Sequence, residues 1–134
     1  GYRIPLVFYA PALLKPASYK HIVSQIDIAP TLVKILGMRD DDHFFGRDLF
    51  ENDASPERAF ISNYQALGYL KNGILTVLLP KQRVESYRVD MKSYEATPAD
   101  IDPKLLTEAI AYYQSASKDF KSGGLHASRY HPDP

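Results

Sequence analysis

An Asn-Gly dipeptide set between two apolar runs is the tightest local constraint in this chain. Residues 68–71 and 74–79 flank Asn72-Gly73. A two-residue connection of that kind needs positive φ at both turn positions, which Asn and Gly accept and most residues do not. The segment therefore reads as a β-hairpin. Residues 59–63 and 84–89 read as further strands beside it. In Arg83-Val84-Glu85-Ser86-Tyr87-Arg88-Val89-Asp90 apolar and polar residues roughly alternate, so that strand has one wet face. The group predicts a small antiparallel sheet, with residues 94–98 as loop.

Two helices carry end signals. Over residues 27–37, Asp27 is placed to cap the first turn, and Pro30 is tolerated only near a helix start, where its missing N–H costs little. Ile28, Leu32, Ile35 and Leu36 form one apolar stripe, and Gly37 suits the left-handed position that closes the helix. Asp102-Pro103 starts a longer helix whose expected buried stripe is Leu106, Ala109, Ile110, Tyr113 and Phe120, ended by Gly123-Gly124.

The N-terminal stretch points to a different kind of sheet. Ile4-Pro5-Leu6-Val7-Phe8-Tyr9-Ala10 is nearly unbroken apolar sequence that stops at Pro11. Such a run suits a strand buried on both faces, as in parallel sheets under helices. Residues 21–26 could be a second short extended segment. A domain seldom starts inside its own buried sheet, so we expect a piece of a longer protein. On that expectation the run at 4–10 and the stripe at Ile28, Leu32, Ile35 and Leu36 lose neighbours, which favours self-association.

Composition excludes several functions. Lys and Arg total 16 against 16 Asp and Glu, a net charge of zero, which argues against gripping nucleic acid or anionic lipid by charge alone. Cysteine is absent, so disulfides, thiolate metal sites and cysteine nucleophiles are excluded. No apolar run approaches the length of a membrane helix. No internal repeat or linker divides the 134 residues.

Catalytic constellations are equally scarce. Phosphate-binding glycine loops, a nucleophile elbow and a zinc-protease pair are missing. His126 and His131 flank Arg129 in a C-terminal stretch that reads as a solvated tail. Asp40-Asp41-Asp42 with His43 lacks the alternation and glycine turn of a calcium loop, so it reads as a solvated loop. Asp27 could be imagined as a general base, but a carboxylate at a helix start reads first as structure. Tyr112-Tyr113 invites stacking on bases or sugars, yet at helical spacing one of the pair must face the core, so packing is the expectation.

The order of segments resembles the C-terminal part of the sulfatase-like branch of the alkaline phosphatase superfamily, nearest to the lipoteichoic-acid-synthase-like phosphoglycerol transferases of bacterial envelopes. The likeness is carried by Ile4-Pro5-Leu6-Val7-Phe8-Tyr9-Ala10-Pro11, by Ser24-Gln25-Ile26-Asp27-Ile28-Ala29-Pro30-Thr31-Leu32 with Leu36-Gly37, and by Phe44-Phe45-Gly46-Arg47-Asp48-Leu49-Phe50. Asn63-Tyr64-Gln65-Ala66-Leu67-Gly68-Tyr69-Leu70 and Ala111-Tyr112-Tyr113-Gln114 are similar to the Gram-negative members.

The resemblance implies an α/β fold: the C-terminal part of an alkaline-phosphatase-like sheet with flanking helices, a small antiparallel sheet and a long C-terminal helix. Residues 1–55 would end the α/β core, 56–125 would form the small sheet and long helix, and 126–134 a mobile tail. The implied parent is a membrane-anchored, periplasm-facing phosphoglycerol transferase, or a phosphate or sulfate ester hydrolase. It would use a threonine- or serine-type nucleophile and divalent metal (Mn, Mg, Ca or Zn). In the family the nucleophile and metal ligands precede the strand that begins here at Ile4. No residue of this sequence matches them, so no catalytic, cofactor-binding or metal residue is assigned. Asp27, Pro30 and Thr31 carry over as structure, in the helix that buttresses the sheet. The implied partner is the missing N-terminal half, and nucleic acid is not one. Two other readings are a stand-alone envelope interaction module that recruits a partner strand at the hairpin edge, and a small enzyme using His21 or His43 with a nearby aspartate.

Overall fold

The computed structural model describes residues 4–38, 44–51 and 57–123. Its centre is a five-stranded antiparallel meander in which every strand pairs with the next in sequence: β1 (Arg58–Asn63), β2 (Ala66–Lys71), β3 (Ile74–Leu79), β4 (Arg83–Val89) and β5 (Ala96–Pro98). The Asn72-Gly73 hairpin forms as its chemistry requires, with φ of 53° and 72° and Lys71 opposite Ile74. The short β5 was expected to be loop. Its Pro98 lies opposite Tyr87 at the sheet's edge, where a residue without an N–H is tolerated.

The second helix, α2 (Pro103–Ser122), covers one sheet face. Its start follows the sequence signals: Asp102 Oδ1 accepts from the backbone of Lys104 at 2.8 Å and of Leu105 at 3.3 Å, and Gly123 closes it at φ 74°. A cross-strand row, Phe60 opposite Tyr69 opposite Thr76 opposite Ser86, lies beneath it. Tyr69, Leu105 and Ala109 form the core, flanked by Phe60, Ile74, Leu78 and Tyr112.

The buried stripe differs from the expected one. Leu105 and Ala109 are the buried positions of α2, whereas Ile110 is partly open and Phe120 is 76% exposed. A 20-residue helix is about 30 Å long and a six-residue strand about 20 Å, so the last turns overhang the sheet.

The first helix, α1 (Ile28–Ile35), follows a 3-10 turn at Gln25–Asp27. Gly37, at φ 62°, donates to Lys34 O while Met38 donates to Val33 O, a closure that uses the left-handed glycine as expected. Two expectations fail here. Residues 21–24 form no strand, and the Asp27 side chain does not cap α1; it turns back to accept from Ser24 N at 2.9 Å. The apolar stripe of α1 is incompletely covered, half-buried at Ile28 and Ile35. Pro30 and Thr31 are its buried residues, while Leu32 is 40% and Leu36 61% exposed.

Residues 4–10 form no strand either. A strand buried on both faces needs neighbours and covering helices, and among the described residues the sheet offers it neither. Val7 and Tyr9 are more than 80% exposed. The segment is held through Phe8, whose ring lies 6.2 Å from that of Phe50, which in turn meets Tyr19 edge-on at 5.3 Å.

Candidate functional site

The most organised polar group in the structure is built around Asp27, which is fully buried. The geometry begins at Pro30. Lacking an N–H, it leaves the Ile26 carbonyl without its helical donor, and Gly46 approaches that carbonyl so closely that a Cβ would sit 1.9 Å from Ile26 O. Only glycine fits there. With the 44–50 segment drawn in, Arg47 N donates to Asp27 Oδ1 at 3.0 Å and Leu49 N donates to Thr31 Oγ1 at 3.0 Å. Thr31 Oγ1 itself donates to Asp27 O at 2.6 Å.

Arg58, at the start of β1, completes the group. Its Nη1 donates to Asp27 Oδ1 at 3.2 Å, its Nη2 to Phe45 O at 3.1 Å, and its Nε reaches Tyr112 Oη at 3.5 Å. Burial alone would weaken the guanidinium's hold on its proton. The Tyr112 hydroxyl and the Asp27 carboxylate outweigh that and raise its pKa. Ser24 Oγ accepts from Phe60 N at 3.2 Å, so the 3-10 turn is tied to the same strand. Every Asp27 oxygen is occupied by protein donors. The arrangement joins four segments and leaves Asp27 with no exposed surface, its carboxylate holding the 44–50 segment and Arg58 in place of the helix cap expected of it.

Tyr112 and Tyr113 both face inward, where one was expected. Tyr112 lies 4.9 Å edge-on from Phe60 and 5.7 Å from Tyr69. Tyr113 meets Phe60 at 5.8 Å and donates its hydroxyl to Gly68 O at 2.9 Å. Both rings are engaged in packing beneath α2. His21 Nδ1 pairs with Glu57 Oε1 at 2.5 Å on an open surface, and Ile22 N donates to Glu57 Oε2 at 2.8 Å. That pairs the histidine with a glutamate, not the aspartate of the small-enzyme reading. Asp40, Asp41, Asp42, His43, His126 and His131 lie outside the described residues.

A second feature had no signal in the sequence. Between the last turns of α2 and the β3–β4 connection lies an open cleft of about 1020 Å³. Leu78, Val84, Ile110 and Tyr113 form its floor, and Arg83, Lys118 and Lys121 stand on its rim. No single motif could have shown it, because its walls come from segments some thirty residues apart.

Among the described residues no group of three or more His, Asp or Glu side chains could hold a metal ion, and no helix is long and apolar enough to cross a membrane.

No protein-family model matches the chain. Among solved structures, a protein in the alkaline phosphatase superfamily from Vibrio parahaemolyticus superimposes with a TM-score of 0.74 and 29% sequence identity, over 81% of this chain and 27% of that one. The chain thus spans about a quarter of that neighbour's length. The mixed α/β arrangement described above, a five-stranded antiparallel sheet with flanking helices and a long final helix, matches part of an alkaline-phosphatase-superfamily fold.

Proposed function

We propose that this chain is the C-terminal structural part of a metal-dependent phosphoglycerol transferase, or of a phosphate or sulfate ester hydrolase, on the periplasmic side of a bacterial inner membrane. The observation that carries the reading is the incomplete cover of α1's apolar stripe. Only Pro30 and Thr31 of α1 are buried, while its apolar stripe is half-covered at Ile28 and Ile35 and exposed at Leu32 (40%) and, just past the helix, Leu36 (61%). A helix with that pattern is made to be covered on its apolar side. The 4–10 run, with Ile4 81% and Val7 82% exposed, has the same need. The superfamily neighbour, of which this chain spans only 27%, supports the view that such cover comes from a larger fold.

In this reading the nucleophile and the metal ligands belong to the covering part. The metal would polarise the ester and stabilise charge on the transferred group. This chain's own residues hold the sheet and α1 in place beside it. Alone, the chain has no ester-cleaving activity and self-associates through the exposed stripe and run.

The test is the encoded reading frame together with two proteins expressed from it. A frame that runs upstream through a threonine or serine nucleophile and an adjacent aspartate–histidine pair supports the reading. The long protein should then cleave an aryl phosphate or sulfate in a chelator-sensitive way, and the 134-residue chain should not. A frame that begins within a few residues of Gly1 overturns it and leaves a stand-alone interaction module.

A further inference from the structure

The cleft at the end of α2 combines three properties. Its floor is apolar: Leu78 and Val84 face each other across β3 and β4, and Ile110 and Tyr113 close it from the helix. The Tyr113 hydroxyl is engaged with Gly68 O, so the ring presents carbon to the cleft. Its charge has one sign. Arg83, Lys118 and Lys121 line it, no acidic residue does, and none of the three cations forms an ion pair among the described residues. This local excess stands in a chain with no net charge.

Its lip is strained. The connection from β3 to β4 carries two successive non-glycine residues in the left-handed region, Lys81 at φ 60° and Gln82 at φ 58°. The β2–β3 turn meets the same demand with Asn-Gly. At the cleft the sequence keeps two long polar side chains instead, and Gln82 lines the cavity. Strain of this kind persists where a side chain is needed for something other than folding.

We propose that this cleft binds a single-chain anionic amphiphile, an alkyl phosphate or a fatty-acid carboxylate. The head lies among Arg83, Lys118 and Lys121, with Gln82 as a neutral hydrogen-bond donor. The first methylenes lie on Leu78, Val84, Ile110 and Tyr113. The volume of about 1020 Å³ is at the upper end for one small-molecule ligand. Charge-assisted contacts to the head fix its position, while the apolar floor supplies affinity by burial. The site is separate from the Asp27 group and needs no part of the proposed enzyme.

The experiment titrates the full 134-residue chain with dodecyl phosphate below its micellar concentration, by calorimetry and by amide chemical shifts. The expected result is saturable one-site binding, with shifts centred on Leu78, Val84, Ile110 and Tyr113. Reversing two exposed rim charges, Lys118→Glu with Lys121→Glu, should weaken binding about tenfold or more, as loss of charged contacts does, while the melting temperature falls only slightly, because two cations leave the C-terminal end of α2. Gln82→Gly should also weaken binding while the fold becomes more stable, which separates loss of the site from loss of folding. Dodecyltrimethylammonium and inorganic phosphate are the two controls, each expected to bind far more weakly. Equal binding of the cationic amphiphile, or shifts centred on residues 4–10 and α1, overturns the proposal in favour of unselective detergent uptake. Equal binding of phosphate alone reduces the site to an anion contact and also overturns it. Binding only to vesicles of anionic phospholipid, and not to the monomeric amphiphile, makes this face a membrane-docking surface instead.

Discussion

Arg58 Nη1 lies 3.2 Å from Asp27 Oδ1, with the arginine side chain 8% and the aspartate 0% exposed. This buried ion pair is one of the polar contacts that join the α1 region to the sheet, with the Ser24–Phe60 and Phe45–Arg58 hydrogen bonds beside it. Asp27 anchors α1 and the 44–50 segment, while Arg58 opens the sheet and reaches Tyr112 on α2. The sheet and α2 share a hydrophobic core. The α1 region, by contrast, is attached to them mainly by polar groups.

Removing one partner of that pair is expected to be costly. Asp27→Ala leaves a buried guanidinium without its counter-charge and frees the backbone N–H groups of Ser24 and Arg47. The expected loss is about 3–5 kcal/mol of stability, read from urea unfolding. Arg58→Met combined with Asp27→Leu should cost clearly less than the sum of the two single changes, because neither charge is then left alone. Strict additivity in that cycle would show that the pair does not join the α1 region to the sheet.

Gly46→Ala isolates the close approach from the charges. The new Cβ meets backbone at Ile26 O, not a flexible side chain, so the 44–50 segment must move away. A loss of about 1–3 kcal/mol, or more, is expected for such overpacking. Hydrogen exchange at Arg47 N and Leu49 N should rise sharply, while amides of β2 and β3 stay protected. Unchanged protection at those two amides would refute the close-contact account.

The elements with local punctuation were readable, and those that depend on partners were not. Asn72-Gly73, Asp102-Pro103, Gly37 and Gly123 each impose a backbone conformation regardless of context, and each feature formed where the chemistry placed it. The run at 4–10 reads as a strand because apolar β-formers look the same whether or not a neighbouring strand is there to pair. The α1 stripe left its cover open for a related reason. Periodicity identifies an apolar face but does not say how much of it is covered, and here the hydrogen bonds of Asp27 and Thr31 fix which turn of the helix is buried. In α2 the helix outruns the sheet, so Phe120 keeps the right spacing yet is 76% exposed among the described residues. Asp27 was legible as a residue at a helix start but not in what it does there, since its partners Arg47 and Arg58 lie 20 and 31 residues away and leave no local mark. The cleft was invisible for the same reason.

The strained lip allows a prediction about folding alone. Lys81 and Gln82 hold φ near 60°, where a side chain costs roughly 1–2 kcal/mol relative to the right-handed region. Gln82→Gly removes that strain but adds backbone entropy to the unfolded chain, worth about 0.5–1 kcal/mol in the opposite sense. A net gain of about 0.5–1 kcal/mol follows. Chemical denaturation of the variant should show a higher midpoint at unchanged slope. A fall in the midpoint would mean that Gln82 makes a stabilising contact, and the strain argument for the cleft would fail with it.

Thr76 and Ser86 lie opposite each other beneath α2, and neither buried hydroxyl has a hydrogen-bond partner among the described residues. Burying such a group costs about 1–3 kcal/mol when it stays unpaired. Thr76→Val keeps the shape and removes the hydroxyl, so the variant should be as stable as the parent or more stable by about 1 kcal/mol. Destabilisation on thermal unfolding would show that the two hydroxyls are satisfied together, by each other or by a shared buried water.

Acid sensitivity should trace in part to Glu108. Lys71 Nζ donates to its Oε2 at 2.6 Å and Tyr69 Oη at 2.8 Å, and these contacts, Lys71 first, hold its pKa below the ordinary 4.5. A carboxyl with a depressed folded pKa adds stability that is fully present above its unfolded value and disappears as pH falls through the folded one. Asp90, held down by the backbone N–H groups of Ser93 and Lys92, contributes in the same window. So does Glu57, where partial burial works in the opposite direction but the Ile22 N–H and His21 prevail. The Glu108 side chain is 39% exposed, so solvent screens the effect and it is small. Glu108→Gln should therefore be less stable than the parent near neutral pH, with the difference closing as pH falls below about 4. Denaturation midpoints of the two proteins across that range decide it. A gap that stays constant with pH would mean that Glu108 contributes through packing and not through its charge.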